Sequence, residues 1–503
     1  MTLVTAWQKA IAFWGYPPIE VEHYTSKEAA TKVMGDSIAH FDFARQRARI
    51  NIPKLEERLG IDCLEPVDKH EIGHYVFCPY DIKSCLTMIQ GANRVVNDYT
   101  KAKYIENIVA DLMLNTHIVN KGDKSIITVY ERMGKTDDAL WTTIMRSCEL
   151  LWHLQAESLS HKTNGEVEHD AQKIAQIVGN SMYLPSTWAG ATEECARILS
   201  KYEIKENDER RMIDGHKPSD FFIDENGIGK AVSGISKSLS YKDFVDVAAG
   251  TELCTNTKAA QLYHGDVAQK YIIQPPTAQL PLFSNSPATP REWNTEDDIE
   301  KLDLAYSLQQ GLLIPGETTY QWHAQDNPTI VSQSYRDLFI CLDSSTSMPD
   351  PSRELSIPVV ASLALSRSAH RRGAQAAALT FSMRWKACGY THHDRETDEV
   401  LHTYLSGGTI IPAQAIVDTV KAHQHPQHIV IITDAAIGNL ERDKKLLAEA
   451  RSCAQGGTIF LYRSATSSAT SLLTSLGYAI RPATTEADLL RMTHQLGTEL
   501  YGT

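Results

Sequence analysis

The sequence contains no apolar run that approaches the roughly 20 residues needed to cross a bilayer. Its first residues lack the basic segment and the small-residue cleavage site of a secretory signal. Its nine cysteines include no C-x-x-C pair, which is typical of reduced thiols rather than of a disulfide framework. These absences predict a cytoplasmic protein with no membrane partner.

Basic residues are fewer than acidic ones. The 49 Lys and Arg residues against 62 Asp and Glu residues give a formal net charge of −13. A general nucleic-acid binder needs a basic surface that releases counterions from phosphates, so we expect no direct contact with nucleic acid. The chain also lacks a G-x-x-x-x-G-K-[ST] loop and a G-x-S-x-G elbow, so any ATP hydrolysis would come from a partner.

The length of 503 residues exceeds what one hydrophobic core usually supports, so we expect a multidomain chain. Proline, serine and asparagine are concentrated in residues 271–293, which predicts a linker. We predict an N-terminal domain over residues 1–204, a middle region with the proline-rich linker over 205–292, and a C-terminal domain with a preceding helical segment over 293–503.

The two halves differ in their hydrophobic patterns. Helical spacing dominates upstream, as in residues 138–160 and 191–206, and one short strand is predicted within 41–53. The N-terminal domain is therefore predicted to be mainly α, of the α+β class. Downstream, buried strands are predicted at residues 337–343, 375–382, 428–434 and 458–463, and helices at 351–372, 412–423 and 440–454. This alternation predicts an α/β doubly wound, Rossmann-like C-terminal domain with a parallel sheet.

The N-terminal half contains the pentapeptide His70-Glu71-Ile72-Gly73-His74. On a helix, residues four apart lie one turn above each other, so His70 and His74 can bind one zinc ion. Glu71 would then lie beside the metal and act as the general base that takes a proton from zinc-bound water. The alternative is an ordinary amphipathic helix whose histidines belong to the core.

A zinc site of this kind usually needs a third protein ligand. Residues 104–115 are apolar almost all round a helix, which predicts burial, and a buried carboxylate there needs a partner. Asp111 and Glu106 are the candidates, and we favour Asp111. Asn107, four residues earlier, completes a pattern that resembles the E-x-x-A-D of several zinc peptidase families, with asparagine where their glutamate ligand stands.

The C-terminal half contains a D-x-S-x-S run in which Asp343 closes a predicted strand and Ser345 and Ser347 follow it. Thr409 and Asp434 are predicted to lie at the same edge, because ligands bind at the carboxyl ends of strands in open α/β sheets. Hydroxyl and carboxylate oxygens suit magnesium or manganese better than zinc. The sequence thus predicts a second, oxygen-lined cation site.

The order of these five residues resembles the metal-ion-dependent adhesion site of von Willebrand factor A domains, over residues 335–503. One departure is Ala435, where glycine often follows the last aspartate. The resemblance implies a Mg²⁺ or Mn²⁺ ion with an open position that an aspartate or glutamate of a protein partner fills.

The pair of domains resembles the bacterial proteins that join an HExxH metallopeptidase-like, zincin-like domain to a C-terminal von Willebrand factor A domain. Many relatives with that A domain work beside MoxR-type AAA+ ATPases. The resemblance implies two functions, of which we favour the first and keep the second as the alternative. The first is a zinc-dependent endopeptidase whose A domain recruits a protein substrate or an AAA+ partner. The second is a non-catalytic adaptor that docks a MoxR-type AAA+ ATPase through its adhesion site.

Overall fold

The computed structural model describes residues 2–35, 37–204, 218–222, 227–274, 291–321, 335–463 and 468–502. Most of the predicted linker lies outside these residues. The chain divides into two compact units, Met1–Val267 with Pro351–Leu355, and Ala268–Asp350 with Ser356–Thr503. The expectation of a multidomain chain that combines helices with sheets is confirmed. Residues 227–267, assigned from sequence to a middle region, belong to the first unit.

The first unit is mainly helical. Its helices are α1 Leu3–Phe13, α2 Lys27–Met34, α3 Ile52–Arg58, α4 Leu64–Val76, α5 Ile82–Val96, α6 Tyr99–Asn120, α7 Ser125–Met133, α8 Ala139–Leu151, α9 Gly165–Ser181, α10 Trp188–Leu199, α11 Ile228–Ala231, α12 Tyr241–Gly250 and α13 Asn256–Ala268, which ends one residue beyond the unit. Its strands are β1 Glu20–Tyr24, β2 Ala39–Asp42 and β3 Arg47–Asn51.

The strand predicted within residues 41–53 is part of a hairpin instead. β2 pairs antiparallel with β3, and β1 pairs parallel with β3. The chain reverses direction between β2 and β3 because Asp42 accepts a hydrogen bond from the backbone N–H of Arg45 at 3.0 Å and Gln46 takes a left-handed φ of 52°.

Most residues of the helices α4 and α6 are buried. Every residue of α6 from Tyr104 to Asn115 is buried, which confirms the burial predicted from its apolar surface. Gly73 allows α4 to approach α6 closely, since a Cβ at this position would lie 2.1 Å from Leu114 Cδ1 and 2.9 Å from a ring carbon of Trp14. The glycine of the pentapeptide therefore has a packing role.

The second unit is built on a six-stranded sheet. Its elements in chain order are β4 Arg291–Glu292, α14 Leu304–Gln310, β5 Tyr320–Gln321, β6 Asp337–Asp343, α15 Ile357–Arg371, β7 Ala376–Phe381, β8 Trp385–Thr391, α16 Asp394–Leu401, α17 Ala413–Ala422, β9 Gln427–Thr433, α18 Leu440–Cys453, β10 Gly456–Tyr462, α19 Ser468–Ser475, β11 Ala479–Ala483 and α20 Glu486–Tyr501. β4 and β5 form a separate antiparallel pair.

The large sheet has the strand order β11-β10-β9-β6-β7-β8. All neighbours are parallel except β7 and β8, which pair antiparallel. The four strands predicted from apolar runs are present, and β6, β7, β9 and β10 are buried along their whole length. The strand order reverses between β6 and β9, so the carboxyl ends of these two strands flank a crevice of the kind that binds ligands in open α/β sheets.

Among the described helices, none combines the length and the apolar character that crossing a membrane requires.

Candidate metal centres

The first candidate centre lies between α4 and α6. His70 and His74 lie one turn apart on α4, and their Nε2 atoms are 3.2 Å from each other. Asp111 of α6 has its Oδ1 atom 3.6 Å from His70 Nε2 and 3.5 Å from His74 Nε2. The structure thus brings together the two histidines and the acid that the sequence favoured as third ligand, with ligand atoms within 4.8 Å of one another.

Two acceptors orient the imidazole rings. Asn115 Oδ1 lies 2.8 Å from His70 Nδ1, and the backbone oxygen of Cys78 lies 2.9 Å from His74 Nδ1. Because both atoms are acceptors, each Nδ1 carries the proton and donates it, which leaves each Nε2 lone pair directed at the centre. Asn115 Nδ2 in turn donates to Tyr130 Oη at 2.8 Å, so the orientation of the amide is fixed. Such partners increase the basicity of metal-binding histidines.

The surroundings of Asp111 show whether a metal ion fits this centre. Asp111 is 4% exposed, and its Oδ1 atom has no hydrogen-bond partner. A buried carboxylate oxygen without a partner is costly, and a cation between it and the two Nε2 atoms would relieve this cost. Two imidazole nitrogens and one carboxylate are a common zinc ligand set. The three residues therefore fit Zn²⁺.

The other residues considered from sequence lie near these ligands in the chain but outside the group. Glu71 is fully buried next to His70 on α4. Glu106, the alternative third ligand, and Asn107 are buried on α6, and Glu106 does not belong to the three-residue group found among the described residues. The sequence did not predict a role for Asn115. Its signal was its position four residues after Asp111, on the same face of α6.

The side chains of this centre are buried among the described residues. His70, Glu71 and His74 have no exposed surface. A cavity does reach Asp111, but it is lined mainly by apolar side chains such as Ile108 and Trp141, and it offers about 10 Å³ to the centres of water molecules. That volume holds about one water molecule and is too small for a peptide.

The second candidate centre begins where β6 ends. Asp343 is 2% exposed, and its two oxygens accept hydrogen bonds from the Ser345 backbone N–H at 2.9 Å and the Thr433 hydroxyl at 2.7 Å. The Oγ atoms of Ser345 and Ser347 are 3.2 Å apart. Burial raises the pKa of Asp343, and the nearby carboxylate of Asp434 raises it further. A divalent cation would relieve this repulsion, so an oxygen-binding cation fits the residues present.

Backbone hydrogen bonds join the three loops that contain the five predicted ligands. Ser406 N donates to Ser344 O at 2.9 Å, and Thr346 N donates to Gly407 O at 3.0 Å. Gly438 N donates to Thr409 O at 2.9 Å. The structure therefore places all five candidates on linked loops at one edge of the sheet, and Ser347 is exposed while Thr409 and Asp434 are partly exposed.

Ala435 occupies a strained position in the third loop. Its φ is 70°, in the left-handed region that favours glycine. Its N–H donates to the Thr433 hydroxyl at 3.2 Å, which in turn donates to Asp343. The alanine noted in the sequence thus has a conformational cost next to the candidate site.

No family model and no curated protein matches the chain. Among solved structures, the pilus adhesin SpaC from Lactobacillus rhamnosus GG in its open conformation is similar over 34% of this chain and 30% of that chain. The identity is 8% and the TM-score is 0.29.

Proposed function

We propose that this protein is a cytoplasmic adaptor that binds an acidic segment of a protein partner through a divalent cation in its second unit. Asp343, Ser345, Ser347, Thr409 and Asp434 would hold Mg²⁺ or Mn²⁺, as in a von Willebrand factor A domain. The partner would be a MoxR-type AAA+ ATPase or another protein that offers an aspartate or glutamate.

The observation that carries this proposal is the contrast between the inner and outer residues of the site. Asp343 is buried, hydrogen-bonded by Ser345 and Thr433, and close enough to Asp434 for their charges to repel. Ser347, by contrast, is exposed at the outer side of the loop. A cation bound by the inner carboxylate would keep a position that a partner's carboxylate can reach from solvent.

The test is a Mn²⁺ titration followed by electron paramagnetic resonance, with Asp343→Asn and Asp337→Asn as matched variants. Both replace a buried aspartate of β6, and Asp337 lies at the opposite end of that strand. We expect one bound Mn²⁺ per chain in the wild type and in Asp337→Asn, and a loss of at least tenfold in affinity in Asp343→Asn. Equal Mn²⁺ binding by the two variants would refute the site.

The second candidate function is a zinc-dependent endopeptidase with a zincin-like first unit. It is favoured by the convergence of His70, His74 and Asp111, with Glu71 available as general base. Zinc bound there would acidify a water molecule for attack on a peptide carbonyl. The burial of all these groups is the reason that we place this function second.

Zinc analysis and casein cleavage separate the two functions. We expect one zinc per chain after dialysis, lost in His70→Ala and kept in Glu71→Gln. If the protein is a peptidase, Glu71→Gln abolishes the cleavage of labelled casein while its zinc content stays unchanged. Zinc in the wild type without cleavage that depends on Glu71 would leave the first unit a structural metal domain of the adaptor.

A further inference from the structure

Three large apolar side chains are exposed beside the second candidate centre. Met383 is 68% exposed, Trp385 is 54% exposed and Ile410 is 41% exposed. We call these three residues the apolar rim. Met383 lies in the turn between β7 and β8, Trp385 begins β8, and Ile410 directly follows the predicted ligand Thr409.

Local contacts place the apolar rim against the loops of the cation site. A Cβ added to Gly407 would lie 3.4 Å from both Cγ and Sδ of Met383, so the methionine covers the loop that precedes Thr409. Ile410 N donates to Ser382 O at 3.0 Å, which joins this loop to the β7–β8 turn.

The strand register places Trp385 at the same edge of the sheet as Asp343. Asp343 pairs with Phe381, and Phe381 pairs with Trp385. The tryptophan is therefore two strands away from the central aspartate of the site, at the same level of the sheet.

Charge in the same turn favours an acidic partner. Arg384, between Met383 and Trp385, is exposed. Its guanidinium and a divalent cation at Asp343 would both attract a carboxylate, whereas the flanking side chains offer only apolar surface. Single exposed apolar residues are common, but three that adjoin one ligand site form a patch of the kind that recognises partners. The surface thus combines attraction for an acid with contact area for an apolar group.

We propose that the apolar rim selects partner segments in which a large apolar side chain lies within two residues of the carboxylate that reaches the cation. This inference rests on the proposed adaptor function. The carboxylate would provide the cation-dependent attachment, and Met383, Trp385 and Ile410 would discriminate among acidic segments by burying the neighbouring side chain.

The test compares two peptides on a biosensor surface, Gly-Leu-Asp-Leu-Gly and Gly-Gly-Asp-Gly-Gly, each with full-length protein in Mg²⁺ and in chelator. We expect the leucine peptide to bind about tenfold more tightly in Mg²⁺, which is about 1.4 kcal/mol. The double variant Met383→Ser/Trp385→Ser should reduce this preference to less than threefold. Leu308→Ser, which removes a 56% exposed leucine from α14, should preserve it.

The outcomes separate the two proposals. If neither peptide binds in a Mg²⁺-dependent manner, or if Asp343→Ala binds them like the wild type, the adaptor function and the inference both fail. If both peptides bind equally in Mg²⁺, or if the preference persists in the double variant, the inference alone fails. Retained Mg²⁺-dependent binding of the glycine peptide and an unchanged melting temperature show that the double variant is folded.

Discussion

Asn115→Leu is expected to weaken zinc binding at the first centre although Asn115 does not contact the metal position. The substitution keeps a side chain of similar size in a buried place but removes the oxygen that accepts the proton of His70 Nδ1 at 2.8 Å. The imidazole then loses the partner that holds its Nε2 lone pair toward the ligand centre, and a tautomer with the proton on Nε2 competes.

The magnitude follows from the cost of removing an outer hydrogen bond from a metal-binding histidine. Such changes typically weaken metal binding by about 10- to 100-fold, which corresponds to about 1.4 to 2.7 kcal/mol. We therefore expect a zinc dissociation constant that is at least tenfold higher.

The assay is competition for zinc against a chromophoric chelator, with two further variants as controls. Asn115→Asp keeps an acceptor oxygen for His70 and should bind zinc at least as well as the wild type. Tyr130→Phe removes the hydroxyl to which the Asn115 amide donates at 2.8 Å, so it should weaken zinc binding by less than tenfold. Wild-type zinc affinity in a folded Asn115→Leu protein would refute this account of the centre.

Three further substitutions test other parts of the structure by thermal unfolding. Gly73→Ala should destabilise the first unit by about 1–3 kcal/mol, because the added methyl meets Leu114 at 2.1 Å; an unchanged melting temperature would contradict the packing argument. Ala435→Gly should stabilise the second unit by about 0.5–1 kcal/mol by relieving a φ of 70°, and a lower melting temperature would show that the alanine is not strained. Burial lowers the pKa of His428 from 6.5 to about 4, so between these pH values the unfolded chain binds a proton that the folded protein does not. The free energy of unfolding should therefore decrease by about 3 kcal/mol as the pH falls from 6.5 to 4. His428→Gln should remove this decrease, and an identical stability profile would exclude the histidine as its cause.

The sequence predicted four strands of the second unit, β6, β7, β9 and β10, because buried parallel strands are apolar along their whole length. β6 and β9 are buried at every position, so periodicity was not needed to find them. β8 was missed for the opposite reason. It is an edge strand that begins with two exposed residues, Trp385 and Lys386, and its sequence contains no apolar run.

The sequence predicted the ligands of the first centre but not the groups that orient them. The spacing of His70 and His74 follows from one turn of helix, and Asp111 follows from a carboxylate inside an apolar helix. The acceptor for His74 is a backbone oxygen, that of Cys78, and every residue offers such an oxygen. No residue type signals such a contact, so it becomes visible only when the fold is known.

The two centres differ in exposure, and we propose that they have different tasks. A metal at His70, His74 and Asp111 would lie inside the core of the first unit, so its binding energy would add to the free energy of folding. A cation at Asp343 would lie at the edge of the sheet, in a site whose outer residue, Ser347, is exposed. A partner's carboxylate would reach such a cation from solvent. A protein that uses one ion to stabilise its fold and another for recognition needs no chemistry at either ion, which is why the adaptor explains the buried first centre better than the peptidase does.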